Sequence, residues 1–150
     1  MHFTLQTDLA LRVLLALALD PDQIVSAPAI ARAYGASVDH VTKVAKSLVQ
    51  KGYVESKRGR QGGLKLARPL ADIRVGDVVR DFEPLDLLDC FDNNDTSCVL
   101  SPACKLKAAL RKATKAFVSS LDALTLEELV HNQHQLARLL PLENLVRNAS

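Results

Sequence analysis

The chain has 150 residues, of which 48% are hydrophobic, so it can bury one core of ordinary size but hardly two. Its longest apolar stretch, residues 9–19, is interrupted by Arg12 and is far shorter than the roughly 20 residues that span a bilayer. The N-terminus lacks the basic segment and the cleavage site of an export signal. We therefore expect a cytoplasmic protein with no membrane span.

The net charge of +2 hides two segments of opposite sign. Residues 37–68 carry eight lysines and arginines against two acidic residues, whereas residues 71–103 carry eight acidic residues against two arginines. A positive surface attracts a polyanion and a negative surface repels it. We expect the first segment to face phosphate groups and the second to face away from them.

Three helices are predicted in the first 52 residues. Apolar side chains recur at helical spacing over residues 5–19. Ser26 is a capping residue and Gly35 a helix-terminating glycine, which predicts a second helix at residues 27–34. Ser37 is expected to cap a third helix. The apolar stripe of that helix consists of Val41, Val44, Ala45 and Leu48. Two helices joined by a glycine-containing turn resemble a helix-turn-helix.

A short strand pair is predicted directly after the third helix. Residues 53–58 and 64–66 have strand character and enclose a glycine-rich tip, residues 59–63, which predicts a wing with basic flanks. The third helix would enter a major groove, and the wing would reach the adjacent backbone or minor groove. The candidate DNA contacts are His40, Thr42, Lys43, Lys46, Lys57, Arg58 and Arg60. The alternative is an ordinary solvated lysine face, and the basic wing argues against it.

The C-terminal half is predicted to contain a dimer contact. Residues 73–82 favour a helix that Pro84 ends. Ser101-Pro102 is typical of a helix start, and apolar residues then recur at steps of three and four, close to a coiled-coil seam. These residues are Leu106, Leu110, Ala113, Phe117, Leu121 and Leu124. A helix with such a stripe requires a partner. Thr125 then begins another helix with the Thr-x-x-Glu spacing of a capping box.

Three cysteines, Cys90, Cys98 and Cys104, lie within fifteen positions around a segment that has no sustained apolar period. An odd number of cysteines fits a disulfide framework poorly, and three thiolates suit zinc, copper or an iron-sulfur cluster. Zinc normally uses more closely spaced cysteine pairs than these. The cysteines could also form a Cys98–Cys104 redox disulfide, or all three could be buried and purely structural. The polar residues at 92–95 indicate an exposed loop, so we favour a metal or cluster site.

A four-iron cluster needs a fourth ligand, which the cysteine loop does not supply. Position 107, where a histidine would be convenient, is Lys107. The donor must therefore come from elsewhere in the chain, from solvent or from a second subunit. The histidines available on sequence alone are His2, His40, His131 and His134, beside many carboxylates.

Six motifs carry a family resemblance that spans nearly the whole chain. They are Leu5-x-x-Asp8, Gly52-Tyr53-Val54, Arg-Gly-Arg-Gln-Gly-Gly at 58–63, Gly-Asp-Val-Val-Arg at 76–80, Glu83-Pro84-Leu85 and Pro-Ala-Cys-Lys-Leu-Lys at 102–107. With them the chain resembles the iron-sulfur winged-helix transcriptional regulators of the IscR, RirA and NsrR type, and among these the nitric-oxide-sensing NsrR members. The resemblance implies a homodimer crossed through the helix from Pro102, with a cluster bound by Cys90, Cys98 and Cys104.

In the nitric-oxide-sensing members the fourth cluster ligand is an aspartate near the start of helix 1 of the opposite subunit, and Asp8 occupies that position here. Without the resemblance, Asp8 would be interpreted as an i,i+4 ion pair with Arg12, worth only about 0.2 to 0.5 kcal/mol. IscR-type proteins have closer cysteine spacing and a histidine where this chain has Lys107. RirA-type iron sensors share the spacing, so Asp8 and the segment at 83–85 favour the nitric oxide interpretation.

The sequence therefore predicts a mainly α fold with a small two-stranded wing. Residues 1–69 form the winged helix-turn-helix, residues 70–104 the connecting helix and cluster-binding loop, and residues 105–150 the dimerisation helix and C-terminal tail. The predicted function is a repressor that binds double-stranded operator DNA, carries a [4Fe-4S] cluster with [2Fe-2S] as second choice, and leaves the operator when nitric oxide nitrosylates the cluster. Arg12 is expected to couple the sensor to helix 1. The alternatives are an iron-responsive regulator of the RirA type and a cysteine-dependent redox enzyme, which the absence of a Cys-x-x-Cys motif disfavours.

Overall fold

A computed structural model of the chain describes residues 2–60, 62–87, 98–140 and 142. The helices of this part are α1 (Leu5–Ala18), α2 (Ala27–Tyr34), α3 (Val38–Gln50), α4 (Val75–Phe82), α5 (Lys105–Asp122), α6 (Leu126–Leu129) and α7 (Gln133–Leu139). The strands are β1 (Val54–Lys57) and β2 (Gly63–Leu66), and they pair antiparallel. The prediction of a mainly α fold with a two-stranded wing is confirmed.

Local capping explains where the first helices begin and end. The Thr4 Oγ1 accepts a hydrogen bond from the Thr7 N–H at the start of α1, and the Ser26 Oγ accepts one from the Ala29 N–H at the start of α2. α2 ends at Gly35, whose φ of 62° is left-handed. α3 begins directly after Ser37, but the Ser37 side chain makes no capping hydrogen bond, so that detail of the prediction is wrong.

The core lies where α1 packs on α3 and α4 and where α2 packs on α3. The buried residues of α3 are Val41, Val44, Ala45 and Leu48, the stripe predicted from periodicity. Leu14 of α1, Ile30 of α2 and Leu48 of α3 are fully buried. Burying one such side chain contributes roughly 1.5–3 kcal/mol, so these three helices form one stable unit.

The wing is attached to the same core. Val54 of β1 lies opposite Leu66 of β2, and both are buried. Leu64 also bridges to Val25, just before α2, through two backbone hydrogen bonds of 3.0 and 2.8 Å. A Cβ at Gly63 would lie 2.8 Å from the Val25 carbonyl, so only glycine permits this approach. The base of the wing is thereby fixed beside α2.

The segment before the long helix differs from the prediction. Residues Ser101–Ala103 form a single 3-10 turn, Cys104 is extended with ψ 108°, and α5 begins only at Lys105. The predicted continuous helix from Ser101 is therefore wrong, because the chain turns at Cys104, which serves as the N-cap of α5. The capping box at Thr125 is present as predicted.

α5 packs on α4 along one face, and the Phe117 ring also lies 6.1 Å from the Phe3 ring, while most other residues of the helix are exposed. Val118 is its one buried residue within the described part of the chain. Leu106, on the predicted seam, is 60% exposed. No helix among the described residues is long and apolar enough to cross a membrane.

Candidate DNA interface and cysteine site

The predicted DNA-contact residues all lie on α3 and the wing. On α3, His40, Lys43 and Lys46 are exposed and Thr42 is half-buried. On the wing, Lys57, Arg58 and Arg60 are exposed. Among them Lys57 forms an ion pair with Glu55, at 3.0 Å between Nζ and Oε1. Because both side chains of this pair are about half exposed, it is weak and leaves Lys57 available to a phosphate.

A groove of about 540 Å³ lies between the outer face of α3 and the wing. Thr42 and Lys46 line one side of it. The sequence did not identify the other polar and small residues of its wall, namely Ser26, Pro28, Gln50 and Ser56. They come from three elements, and only the packing of α2, α3 and β1 brings them together. A groove with hydroxyls, a cation and apolar patches has the chemistry needed to contact base edges and phosphates.

The turn between α3 and the wing is held by several polar contacts. The Arg68 guanidinium donates to the Gly52 carbonyl at 2.8 Å and to the Lys51 carbonyl at 2.9 Å, and it lies over the Tyr53 ring at 4.5 Å. Gly52 has a φ of 75°, which favours glycine. The Tyr53 hydroxyl donates to the Asp81 Oδ2 at 2.7 Å. The last contact connects the turn to α4.

The cysteine site is described only in part, because Cys90 lies outside the described residues. Cys98 and Cys104 are half-buried free thiols, three residues before the 3-10 turn and directly after it. The Cys104 Sγ accepts a hydrogen bond from the Lys107 N–H at 3.4 Å. The Lys107 Nζ donates to the Ser101 Oγ at 2.7 Å, so this side chain folds back over the turn. The described residues contain no group of three or more His, Cys, Asp or Glu that could hold a metal ion.

Asp8 lies in the first turn of α1 and is paired with Arg12. The Arg12 Nη2 is 2.9 Å from the Asp8 Oδ2, and the Nε donates to the Oδ1 at 3.1 Å. The i,i+4 pair that the sequence allowed is therefore formed within the subunit. Both side chains are 42% exposed, so the pair contributes little to stability and the carboxylate can exchange partners.

The N-terminus of α1 is bound by a residue at the end of α4 that lies 79 positions away along the chain. The Glu83 Oε2 accepts hydrogen bonds from the Thr4 N–H at 2.9 Å, the Thr4 hydroxyl at 3.0 Å and the Thr7 hydroxyl at 2.5 Å. Burial acts to raise the pKa of Glu83, but the bonds from Thr7 and Thr4 outweigh it and lower the pKa. Glu83 is therefore an ionised cap that fixes the helix carrying Asp8 to α4.

Residues 3–132 match the family described as Rrf2, iron-dependent transcriptional regulator. The structure is similar to IscR of T. potens, with 26% identity, a TM-score of 0.71 and 88% of each chain covered. It is also similar to CymR, the global cysteine regulator of B. subtilis, with 23% identity, a TM-score of 0.69, and 88% of this chain and 98% of that chain covered. CymR of Staphylococcus aureus matches with 23% identity and a TM-score of 0.66, over 84% of this chain and 95% of that chain. The two CymR similarities show the fold alone.

Proposed function

This chain belongs to the Rrf2 family of transcriptional regulators, and we propose that it is a nitric-oxide-sensing repressor with an iron-sulfur cluster held between two subunits. Members of the family bind DNA, act as dimers and are not enzymes. The prediction that the protein is not an enzyme is therefore confirmed, and the redox-enzyme alternative is excluded. Membership of the family leaves open whether this protein carries a cluster, of which type, and which signal it senses.

The DNA-binding surface that we propose is the outer face of α3 together with the wing. Thr42 and Lys46, beside the groove, are proposed to contact base edges and phosphates, and His40 and Lys43 to contact the flanking backbone. The exposed Lys57, Arg58 and Arg60 of the wing are proposed phosphate contacts.

The cluster ligands that we propose are Cys90, Cys98 and Cys104 of one subunit and Asp8 of the partner subunit. The observation that carries this proposal is the setting of Cys104. Its sulfur caps α5 and accepts the Lys107 N–H at 3.4 Å, so local hydrogen bonding fixes the position of this sulfur donor. Cys98 is half-buried three residues before the same 3-10 turn, and cysteine thiolates are the usual ligands of iron-sulfur clusters, which supports the [4Fe-4S] cluster that we propose.

Asp8 has two uses in this proposal. It can ligate across the dimer, or it can pair with Arg12 of its own helix, as in the structure. A cluster bound there would supply iron atoms as the binding site for nitric oxide. Asp8 would hold the cluster more weakly than the cysteines would, because a carboxylate is a harder and weaker iron ligand than a thiolate. Arg12 is placed to pair with the Asp8 carboxylate within the subunit.

The effect on DNA binding depends on what else holds α1. Glu83 fixes the start of α1 to α4, and α1 packs directly on the reading helix α3. A change of partner at Asp8 therefore acts on an element that contacts the DNA-binding unit. A signal can shift the operator affinity only if it gives the two dimer conformations different free energies, and a ligand shared between subunits does so.

The test is an operator-binding titration with anaerobically purified protein. Nitric oxide, added in an amount stoichiometric with the cluster, is expected to release the protein from the operator. A chelator that removes only free iron from solution is expected to leave operator binding unchanged. The opposite result, with chelation abolishing binding and nitric oxide having no effect, would favour an iron sensor of the RirA type. Colourless protein with full zinc occupancy would rule out the cluster.

A further inference from the structure

The turn between α3 and the wing is fixed from the outside by α4. Tyr53 is 2% exposed, and its hydroxyl donates to the Asp81 Oδ2 at 2.7 Å. Lys51, at the end of α3, is 3.6 Å from the Asp81 Oδ1. Arg68, just after β2, covers the Tyr53 ring and binds the carbonyls that end α3. Asp81 of α4 thus binds the end of α3 and the residue just before β1, and Arg68 connects the end of β2 to the same turn.

The relative orientation of α3 and the wing depends on this point. Only residues 51–53 separate the end of α3 from β1, and Gly52 among them has a φ of 75°. Burial raises the pKa of Tyr53 and the bond to Asp81 raises it further, so the phenol remains a hydrogen-bond donor throughout the physiological pH range. A rigid wing reaches the DNA backbone only when its angle to the reading helix suits the duplex.

We infer that Asp81 and Tyr53 are positioning residues for operator binding, because their hydrogen bond sets the angle between α3 and the wing. Neither residue belongs to the set of proposed DNA contacts. The inference concerns DNA binding by the family fold and holds whichever signal the protein senses, so it stands or fails independently of the nitric oxide proposal.

A simple electrostatic argument predicts the opposite effect for the same residue. Asp81 is a negative charge that partly neutralises Lys51, and removing it would leave a freer cation close to the DNA-binding surface. If Asp81 were only a surface charge, its removal would strengthen DNA binding. If it positions the wing, its removal weakens DNA binding. The sign of the change therefore distinguishes the two roles.

The experiment measures the affinity of the full-length dimer, by fluorescence anisotropy, for a duplex selected with the wild-type protein from a random-sequence pool. Asp81→Ala is expected to weaken binding about three- to tenfold, the size expected when one partly buried hydrogen bond is lost. The matched control is Asp77→Ala, which removes an equal charge one turn earlier on α4, where Asp77 is half exposed and pairs with Arg80. That variant should bind as well as the wild type or slightly better.

Tyr53→Phe removes the same hydrogen bond without changing any charge. It is expected to weaken binding as much as Asp81→Ala does, and the double variant should be no weaker than either single variant. Asp81→Asn keeps an acceptor for the hydroxyl and should restore most of the affinity. Tyr34→Phe is the control for loss of a phenol, since the Tyr34 hydroxyl makes no hydrogen bond among the described residues.

Thermal unfolding of each variant shows which of them remain folded at the temperature of the titration. If Asp81→Ala is unfolded there, the affinity of Tyr53→Phe alone tests the inference. Tighter or unchanged binding by Asp81→Ala, or fully additive losses in the double variant, would overturn the inference.

Discussion

The region formed by α1, α2, α3 and the wing buries its apolar side chains far more completely than the long helix α5 does. α1, α2, α3 and the wing bury a continuous set of aliphatic residues within one chain, whereas α5 buries Val118 alone among its 18 residues. The first region is a core complete within the subunit. The second is an amphipathic helix whose predicted seam is only partly covered within the subunit, because Leu106 is 60% exposed whereas Leu110 and Phe117 are half-buried.

Helix α4, which packs on both α1 and α5, joins the two regions. The Arg80 Nη2 of α4 donates to the Asp122 Oδ2 of α5 at 2.5 Å, and Arg74 donates to the Asp122 carbonyl at 2.9 Å. The bond from Arg80 lowers the pKa of Asp122. Gly76 lets the two helices approach closely. The contrast between the two regions teaches that the stability of the subunit and the assembly of the dimer can be altered separately.

The largest effect of a substitution is expected at the predicted seam of α5. Ala113→Asp should raise the dimer dissociation constant by an amount worth on the order of 3–5 kcal/mol, because each interface would bury unpaired carboxylates. Analytical ultracentrifugation gives the dissociation constant, and circular dichroism should show unchanged helix content. Ala108→Asp, at an exposed position on the other side of α5, is the matched control and should remain dimeric. A dimer that tolerates Ala113→Asp would contradict the assigned seam.

The next effect is expected in the core. Leu48 is 0% exposed, so Leu48→Ala should lower the free energy of unfolding by about 2–5 kcal/mol through lost burial and a residual cavity. Urea unfolding at fixed protein concentration measures it. The neighbouring Val49 is 36% exposed, and Val49→Ala should cost well under half as much. Equal losses at the two positions would mean that α3 does not bury its apolar stripe in the core.

A smaller effect is expected where α4 meets α5. A Cβ at Gly76 would lie 2.0 Å from the Asp122 Oδ1 and 2.9 Å from the Asp122 backbone nitrogen. Gly76→Ala should therefore destabilise the fold by about 1–3 kcal/mol. Adding Asp122→Ala should recover only part of the loss, because the backbone contact remains. Thermal unfolding of the three proteins checks this prediction. A Gly76→Ala variant as stable as the wild type would show that α4 and α5 do not pack so closely.

The smallest effect is expected at Glu83 and depends on pH. The folded-state pKa of Glu83 is lowered, so its ionised form stabilises the fold above the ordinary glutamate pKa of about 4.3, and this stabilisation is lost as the pH falls through the lowered value. Glu83→Gln should cost about 1 kcal/mol at neutral pH. The difference from wild type, followed by urea unfolding from pH 7 to pH 3, should shrink towards acid pH. If the stability difference between the variant and the wild type grew at acid pH, the folded-state pKa of Glu83 would be raised and not lowered.

Local patterns predicted the parts of the fold that local forces decide. The bounds of α2 follow from Ser26 and Gly35, and the buried stripe of α3 follows from its period. The start of α5 was misplaced because Ser-Pro is compatible with both a helix and a 3-10 turn, and only the placement of Cys104 separates the two. The bond from Tyr53 to Asp81 joins positions 28 apart, and no short-range pattern encodes such a contact.

The candidate site shows the same division. Spacing and residue type predicted the DNA-contact residues and the three cysteine ligands, and a family resemblance suggested the role of Asp8, all of which stay predictions. The sequence did not predict that the groove is lined by Ser26, Gln50 and Ser56, because these residues come from separate elements and carry no charge. Asp8 is predicted to act across subunits, so neither the sequence nor a single subunit can show its partner.

A mixed-dimer experiment tests this central claim most directly. One subunit carries Asp8→Ala and the other carries Ala at Cys90, Cys98 and Cys104, with different affinity tags so that the heterodimer can be isolated. If Asp8 ligates across the dimer, the cysteines of the first subunit and Asp8 of the second complete one site. The reciprocal dimer, with all four substitutions in one subunit and a wild-type partner, then completes none.

Anaerobic native mass spectrometry counts the clusters in each heterodimer. Ligation across the dimer predicts one cluster in the first heterodimer and none in the reciprocal one. No cluster in the first and one in the reciprocal dimer would show that Asp8 acts within its own subunit. One cluster in both would show that Asp8 is not a required ligand, and either result would contradict the shared site.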